Sequence, residues 1–377
     1  MDDAHERRCL IALHLTPMLG PVRIARLIRT LGSAASACEA TKADLVAIAG
    51  LTQRAAAFVL QRRSRVNVDR ELARATACGA RVVTWLDEGY PAPLRALHDA
   101  PPVIYFRGAW SGGPHPVAAI VGTRRASGYG LEIAGALGEM LARAGAVVVS
   151  GLARGIDAAA HQGALRAGGV TVGVLGCGVD VVYPAEHRSL MDAMQREGAV
   201  MAEVRLGTPP RAPQFPRRNR LISGLAHAVV VVEGDVGSGA MITARTAKAQ
   251  GRQVFAVPGS VRTRSSRGPH RLLAQGARVL AEPEDLLSAL GLLQERRKHE
   301  VRLSASGAAG RSREKTDPAA RILAVLDEYG VHIDTIVALT GLNAAEAART
   351  VSILEMRGLV RALPGKHYVR RMTYGTS

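Results

Sequence analysis

Gly122, Thr123, Arg124, Arg125 and Ser127 share one loop, AIVGTRRASGYG (119–130), where a strand-like apolar run meets a helix-like segment. That order is how α/β proteins hold phosphates, with backbone N–H groups and a helix N-terminus facing the anion. A dinucleotide loop needs G-x-G-x-x-G so that backbone can press against a pyrophosphate. Here the second and third glycines are missing, and Arg124 and Arg125 take their place. The loop suits an isolated phosphate of a nucleic acid strand, which Arg124 can grip with two parallel hydrogen bonds.

Five further strand-like runs end in unusual residues. SGLARGIDAAAH (150–161) places Gly151 and Gly155 around a second N–H nest at a helix start. GCGVDVVYP (176–184) follows the third run, and FPRRNRLISGLAH (215–227) carries Phe215, Arg218, Asn219 and Arg220 after the fourth. EGDVGSGAMITA (233–244) sets Ser238, Gly239 and Thr243 at a helix N-terminus, and PGSVRTRSSRGPHRLLAQGA (258–277) closes the series. Between Glu203 and Glu233 there are five arginines and no acid; between Asp235 and Glu282 there are eight basic residues and no acid. If these loops share one sheet edge, they make a positive groove. Phe215 is placed either to stack a base or to fill the core. No Walker lysine, paired carboxylates for two metals or His/Cys ligand spacing is present, so a binder without cofactor, metal or catalytic turnover is expected.

The elements that must position these loops follow from the apolar pattern. Continuous apolar runs at 117–121, 146–150, 170–175, 200–204, 228–233, 254–257 and 277–280 alternate with helix-like stretches. This predicts a Rossmann-like, doubly wound, mostly parallel sheet over 117–295. Residues 1–80 read as a helical domain. In it LGPVRIARLI (19–28) and AGLTQRAAAFV (49–59) echo each other, as in a helix-hairpin-helix (SAM-like) unit or a plain bundle with glycine C-caps. Residues 81–116 are Pro-rich and read as a connector, and 296–317 as a charged linker. At 318–371 a helix, a short helix, a turn at Gly341, a longer helix and a hairpin with Pro364–Gly365 at its tip predict a winged helix, for DNA or for protein contacts.

Composition narrows the partners. The net charge is +17, divided as +5 over 1–108, +7 over 109–293 and +5 over 294–377, so no single tail explains it. Such a balance favours a polyanion, nucleic acid before a membrane surface, although arginine-rich composition also follows from a GC-rich genome. Aromatics are 3% of the chain, too few for a stacking platform along most of it. Cys9, Cys38, Cys78 and Cys177 lie far apart without a C-x-x-C pair, which fits reduced thiols in a cytosol. The charged start MDDAHERR is no signal peptide, and no apolar run reaches the roughly 18 residues of a membrane span. A cytoplasmic protein without membrane contact is expected.

The stretches VGTRRASGYG, SGLARGIDAAAHQGAL, GCGVDVVYP, FPRRNRLISGL, VVVEGDVGSGAMITARTAKAQGRQVFAVPGS and GPHRLLAQGA, in this order, resemble the DNA-processing protein A family (DprA, also called Smf). The likeness covers roughly residues 10–295, and WLDEGYPAPLRALHDAPPVIYFRG and the C-terminal unit also look like the family's. It implies a homodimer that binds single-stranded DNA and loads RecA recombinase in natural transformation and DNA recombination. The family's G-S/T-R loop falls on Gly122, Thr123 and Arg124, and its F-P-x-R-N-R motif on Phe215, Pro216, Arg218, Asn219 and Arg220. His187 and His270 depart from the family's usual asparagines. Two other readings compete. A Rossmann-like nucleotide phosphoribohydrolase would use Asp157, Asp180 or Glu233 as acid or base, whereas a transcriptional regulator would bind specific duplex sequences through its winged helix.

Overall fold

Short runs of valine, isoleucine and alanine, buried on both faces, make the strands of a layered α/β unit. The computed structural model describes residues 3–110, 112–293, 317–326, 331–363 and 365–370. Of the expected linker at 296–317 all but Asp317 lies outside the described residues, as do the hairpin's Pro364 and residues 327–330. The chain divides into two compact units, Met1–Lys298 and His299–Ser377.

Nine strands form one sheet in the first unit. They are β1 (Arg81–Thr84), β2 (Val103–Gly108), β3 (Val117–Val121), β4 (Val147–Ser150), β5 (Thr171–Val174), β6 (Ala199–Ala202), β7 (Ala228–Val231), β8 (Gln253–Ala256) and β9 (Arg278–Val279), in the order β1-β2-β6-β5-β4-β3-β7-β8-β9. From β3 to β9 all neighbours are parallel, whereas β2 runs antiparallel to both β1 and β6. The chain winds outward from β3 to β6 on one side and returns to lay β7 on the other. That reversal is the topological switch point, where doubly wound sheets open a crevice at the strands' carboxyl ends.

Residues 81–116, read as a Pro-rich connector with two short apolar runs packed against the next domain, supply β1 and β2. The two runs are these strands, four and six residues long, with four prolines between them.

Before the sheet come α1 (Asp3–Leu15), α2 (Pro21–Leu31), α3 (Ala34–Cys38), α4 (Lys42–Ala47), α5 (Gln53–Arg63) and α6 (Val68–Ala77). They bury a core of their own, including Leu10, Ile24, Leu27 and Val59, while Ile11 and Ala75 pack against the sheet's residues Val103 and Tyr105. Both echoed stretches place a helix start: Gly20 caps α2 with Pro21 in its first turn, and Thr52 caps α5.

Around the sheet lie α7 (Ala92–Arg95), α8 (Gly128–Arg143), α9 (Ile156–Arg166), α10 (Arg188–Glu197), α11 (Gln214–Leu225), α12 (Gly239–Ala249), α13 (Arg267–Ala274) and α14 (Pro283–Ala289). Strand alternation sorts the two faces. Ala118 and Ile120 of β3 share a core with Leu137 of α8 and Ala160 of α9, while Val117, Ala119 and Val121 pack with Leu221 of α11 and Ala244 of α12.

His161 of α9 is fully buried, with Nδ1 2.6 Å from the Thr171 hydroxyl. Burial pulls its pKa down to about 3, with the charges of His187 and Arg218 adding to the shift. In the unfolded chain the imidazole takes up a proton near pH 6.5, while in the fold it stays neutral. Its contribution is therefore present above about pH 6.5 and is lost as pH falls. The gap in melting temperature between the wild type and His161→Gln is expected to narrow from about pH 7 to about pH 5. A gap independent of pH contradicts this.

The second unit runs α15 (Pro318–Val325), β10 (Val331–His332), α16 (Ile333–Thr340), α17 (Ala344–Met356), β11 (Val360–Leu363) and β12 (His367–Arg370), with sheet order β10-β12-β11. Gly341 ends α16 in the left-handed region, and Asn343 caps α17. This is a winged helix around Ile322, Ile336, Val351 and Leu354. Among the described residues no helix is long and apolar enough to cross a membrane.

Candidate nucleic-acid interface

The loops after β3, β4, β6 and β7 line one cleft at the switch point. Gly122, Thr123, Arg124, Phe215, Arg218, Asn219, Ser238, Gly239 and Thr243 border it, and Gly151 borders a narrower recess shared with Gly176, Tyr183 and Pro184. Ser127, Gly155 and Arg220 border neither.

At two of the helix N-termini here, those of α8 and α9, a carboxylate of the protein already sits. At α8, Glu233 accepts from the Ser127 N–H (2.9 Å) and hydroxyl (2.5 Å), and Ser127 Oγ in turn accepts from the Gly130 N–H. Ser127 is thus a cap turned inward, and the helix dipole is met by Glu233. At the start of α9, Asp157 accepts from the N–H groups of Gly151 (3.1 Å) and Ala153 (3.4 Å). Burial pushes the Asp157 carboxyl above its usual range, and the Arg218 guanidinium opposes that push.

The N-terminus of α12 is open. Ser238 makes no side-chain cap on α12, and its buried Oγ has no partner. Among the described residues no acceptor meets the N–H groups of Gly239 and Ala240. Asn219 Nδ2 (3.3 Å) and the Thr243 hydroxyl (3.2 Å) both donate to the Gly239 carbonyl, which fixes their place on this wall.

The arginines divide by burial. Arg124 and Arg125 are exposed, and the Arg124 guanidinium lies 5.4 Å from the centre of the half-buried Phe215 ring. Arg218 is only 7% exposed and donates to the carbonyls of Gly151 and Val174 at the ends of β4 and β5. Burial pulls its pKa down to about 10. A Cβ on Gly151 would stand 2.6 Å from that guanidinium, so only glycine fits there. Arg220 turns to the far side of α11, where it pairs with Glu203 (2.6 Å) and Asp99 (3.2 Å). Of these three motif residues, only Arg124 is free for an outside anion. Arg218 and Arg220, expected among the DNA-binding residues, are instead a brace of two strand ends and a member of an internal ion triad.

Gly155 adopts φ 74° and packs on the carbonyl groups of Thr123 and Arg124, so it shapes the arginine loop from below. Thr123 ties the same loop to its neighbours, donating its N–H to Glu233 O and accepting from Ile156 N–H. Tyr183 was missed from the sequence. Its ring lies 5.5 Å from Phe215 and lines both the cleft and the recess. The one available signal was an aromatic at a strand end in a chain so poor in them. The departing histidines each meet a loop carbonyl, His187 at Leu152 and His270 at Gly259, both at 3.0 Å.

A family model described as DNA recombination-mediator protein A matches residues 81–291, and one described as the DprA winged helix domain matches 306–366. The chain belongs to the DNA recombination-mediator protein A (DprA) family. The relatives agree along the length. Protein Smf of Synechocystis is 32% identical over 94% of this chain and 96% of its own. The crystal structure of DprA from Streptococcus pneumoniae superposes with a TM-score of 0.65 at 31% identity, covering 74% of this chain and 97% of that one. A DprA of Helicobacter pylori, described for its single-stranded DNA binding mode, gives a TM-score of 0.50 at 27% identity over 56% of this chain and 95% of its own.

Proposed function

We propose that this DprA-family chain binds single-stranded DNA in the cleft without sequence preference and hands the strand to RecA recombinase, in recombination of the kind natural transformation requires. The observation that carries the reading is Arg124 stacked beside Phe215 at the switch point. A guanidinium for a phosphate and a ring for a base stand 5.4 Å apart, next to the open N-terminus of α12. The single-stranded DNA binding described for the Helicobacter pylori relative supports it.

The reading is of a binder, not an enzyme. The carboxylates that a phosphoribohydrolase would need are engaged as braces: Asp157 and Glu233 hold loop N–H groups, and Asp180 accepts from the Gly207 N–H at 2.8 Å. On this reading the strand-binding core is 117–295, with the helices of 1–80 and the winged helix of 318–371 as accessory units. The protein acts in the cytoplasm as a homodimer, a partnership that rests on the family resemblance.

The test is RecA filament assembly on single strands coated beforehand with single-strand-binding protein, with and without this chain. Acceleration is expected. No acceleration at any ratio, or metal-dependent cleavage of the strand, contradicts the reading.

A further inference from the structure

Beyond the cleft, the carboxyl edge of the sheet carries a second group of exposed residues. Tyr129 opens α8 two residues after the cap, yet the residue is 48% exposed. Its hydroxyl donates to the Pro258 carbonyl at 2.9 Å, tying the ring to the loop after β8. A phenol anchored at its tip and open along its body is a rigid apolar face. In a chain with 3% aromatics, that is a costly residue to leave in water.

The loop it is tied to is basic. Arg264 is committed to Asp235 at 2.6 Å, but Arg262 and Arg267 are exposed and carry no ion pair among the described residues. Val261, between them and Pro258, is 83% exposed. The loop is continuous with the cleft wall, because Ser265 O accepts from the Gly234 N–H and Gly234 O from the Gly268 N–H, and the 234–238 turn leads into Ser238 and Gly239. Across the other side, the arginine loop 122–127 joins the cleft directly to Tyr129.

We propose that a bound single strand continues out of the cleft onto an outer track, where Tyr129 stacks a base and Arg262 and Arg267 take the flanking phosphates. This rests on the reading of the cleft as a single-strand site and extends it. Stacking on a fixed ring with cations alongside tolerates any base, as a sequence-neutral binder requires.

The experiment measures the affinity of the full chain for oligothymidylates of about 6 and about 20 nucleotides, the shorter filling the cleft and the longer also reaching the track. Tyr129→Leu is expected to lose about tenfold on the longer strand and nothing on the shorter. Tyr129→Phe, which keeps the ring and loses the Pro258 bond, is expected to match the wild type on both. The Arg262→Glu/Arg267→Glu pair should lose affinity on the longer strand alone. Replacing the outer nucleotides of the longer strand by abasic units should bring the wild type down to the level of Tyr129→Leu. Equal losses on both lengths, no loss on the longer, or a Phe variant as weak as Leu overturns the outer track. Failure of the cleft itself reads differently, as Arg124→Ala binding both lengths like the wild type.

Discussion

Replacing Arg124 by alanine is expected to weaken the proposed single-strand binding about 10- to 100-fold, the worth of one charge-assisted phosphate contact. The fold should not notice the change. The side chain is exposed and lies over the face of Phe215 at 5.4 Å. That contact is worth about 0.5–1 kcal/mol at an exposed site. Titration of a labelled oligonucleotide beside a thermal melt separates the two effects. Unchanged binding by a folded variant removes the loop from the interface.

Arg218→Ala gives the opposite outcome: the protein loses stability before binding can be judged. The guanidinium is 7% exposed and donates to Gly151 O and Val174 O, with the Asp157 carboxylate lying across Gly151. Removing it leaves two strand-end carbonyls without their donor and takes away the buried positive charge that opposes the desolvation of Asp157. Leaving buried acceptors unsatisfied costs about 1–3 kcal/mol each, which together lowers the melting temperature by roughly 10 °C. A variant that melts like the wild type but fails to bind DNA would instead make Arg218 a contact residue.

That contrast shows what the sequence holds and what it conceals. The β3 run was read to the residue because five apolar residues end at Gly122, and the other parallel strands were placed within a residue or two. The fate of Arg218 was legible too. It stands at i with Leu221, Ile222 and Leu225 at i+3, i+4 and i+7, the buried stripe of α11, while Arg217 lies on the exposed side. Reading the arginines as one charge cluster passed over that stripe. Ser127 could not be resolved in this way. Its partner Glu233 is 106 positions along the chain, and only the parallel pairing of β3 with β7 brings the two loops together. Arg220 is hidden for the same reason, since Asp99 comes from the segment that also carries β1 and β2. Local pattern fixes which face a residue occupies. A sheet's strand order decides which distant charge it meets there.

Whether the cleft is a single-strand phosphate-and-base site is tested by the affinity of the full chain for one sequence as single strand and as duplex, at two salt concentrations. The expected result is tighter binding to the single strand, with an affinity that falls steeply as salt rises because counterions are released on binding. A preference for duplex, or an affinity indifferent to salt, contradicts the account.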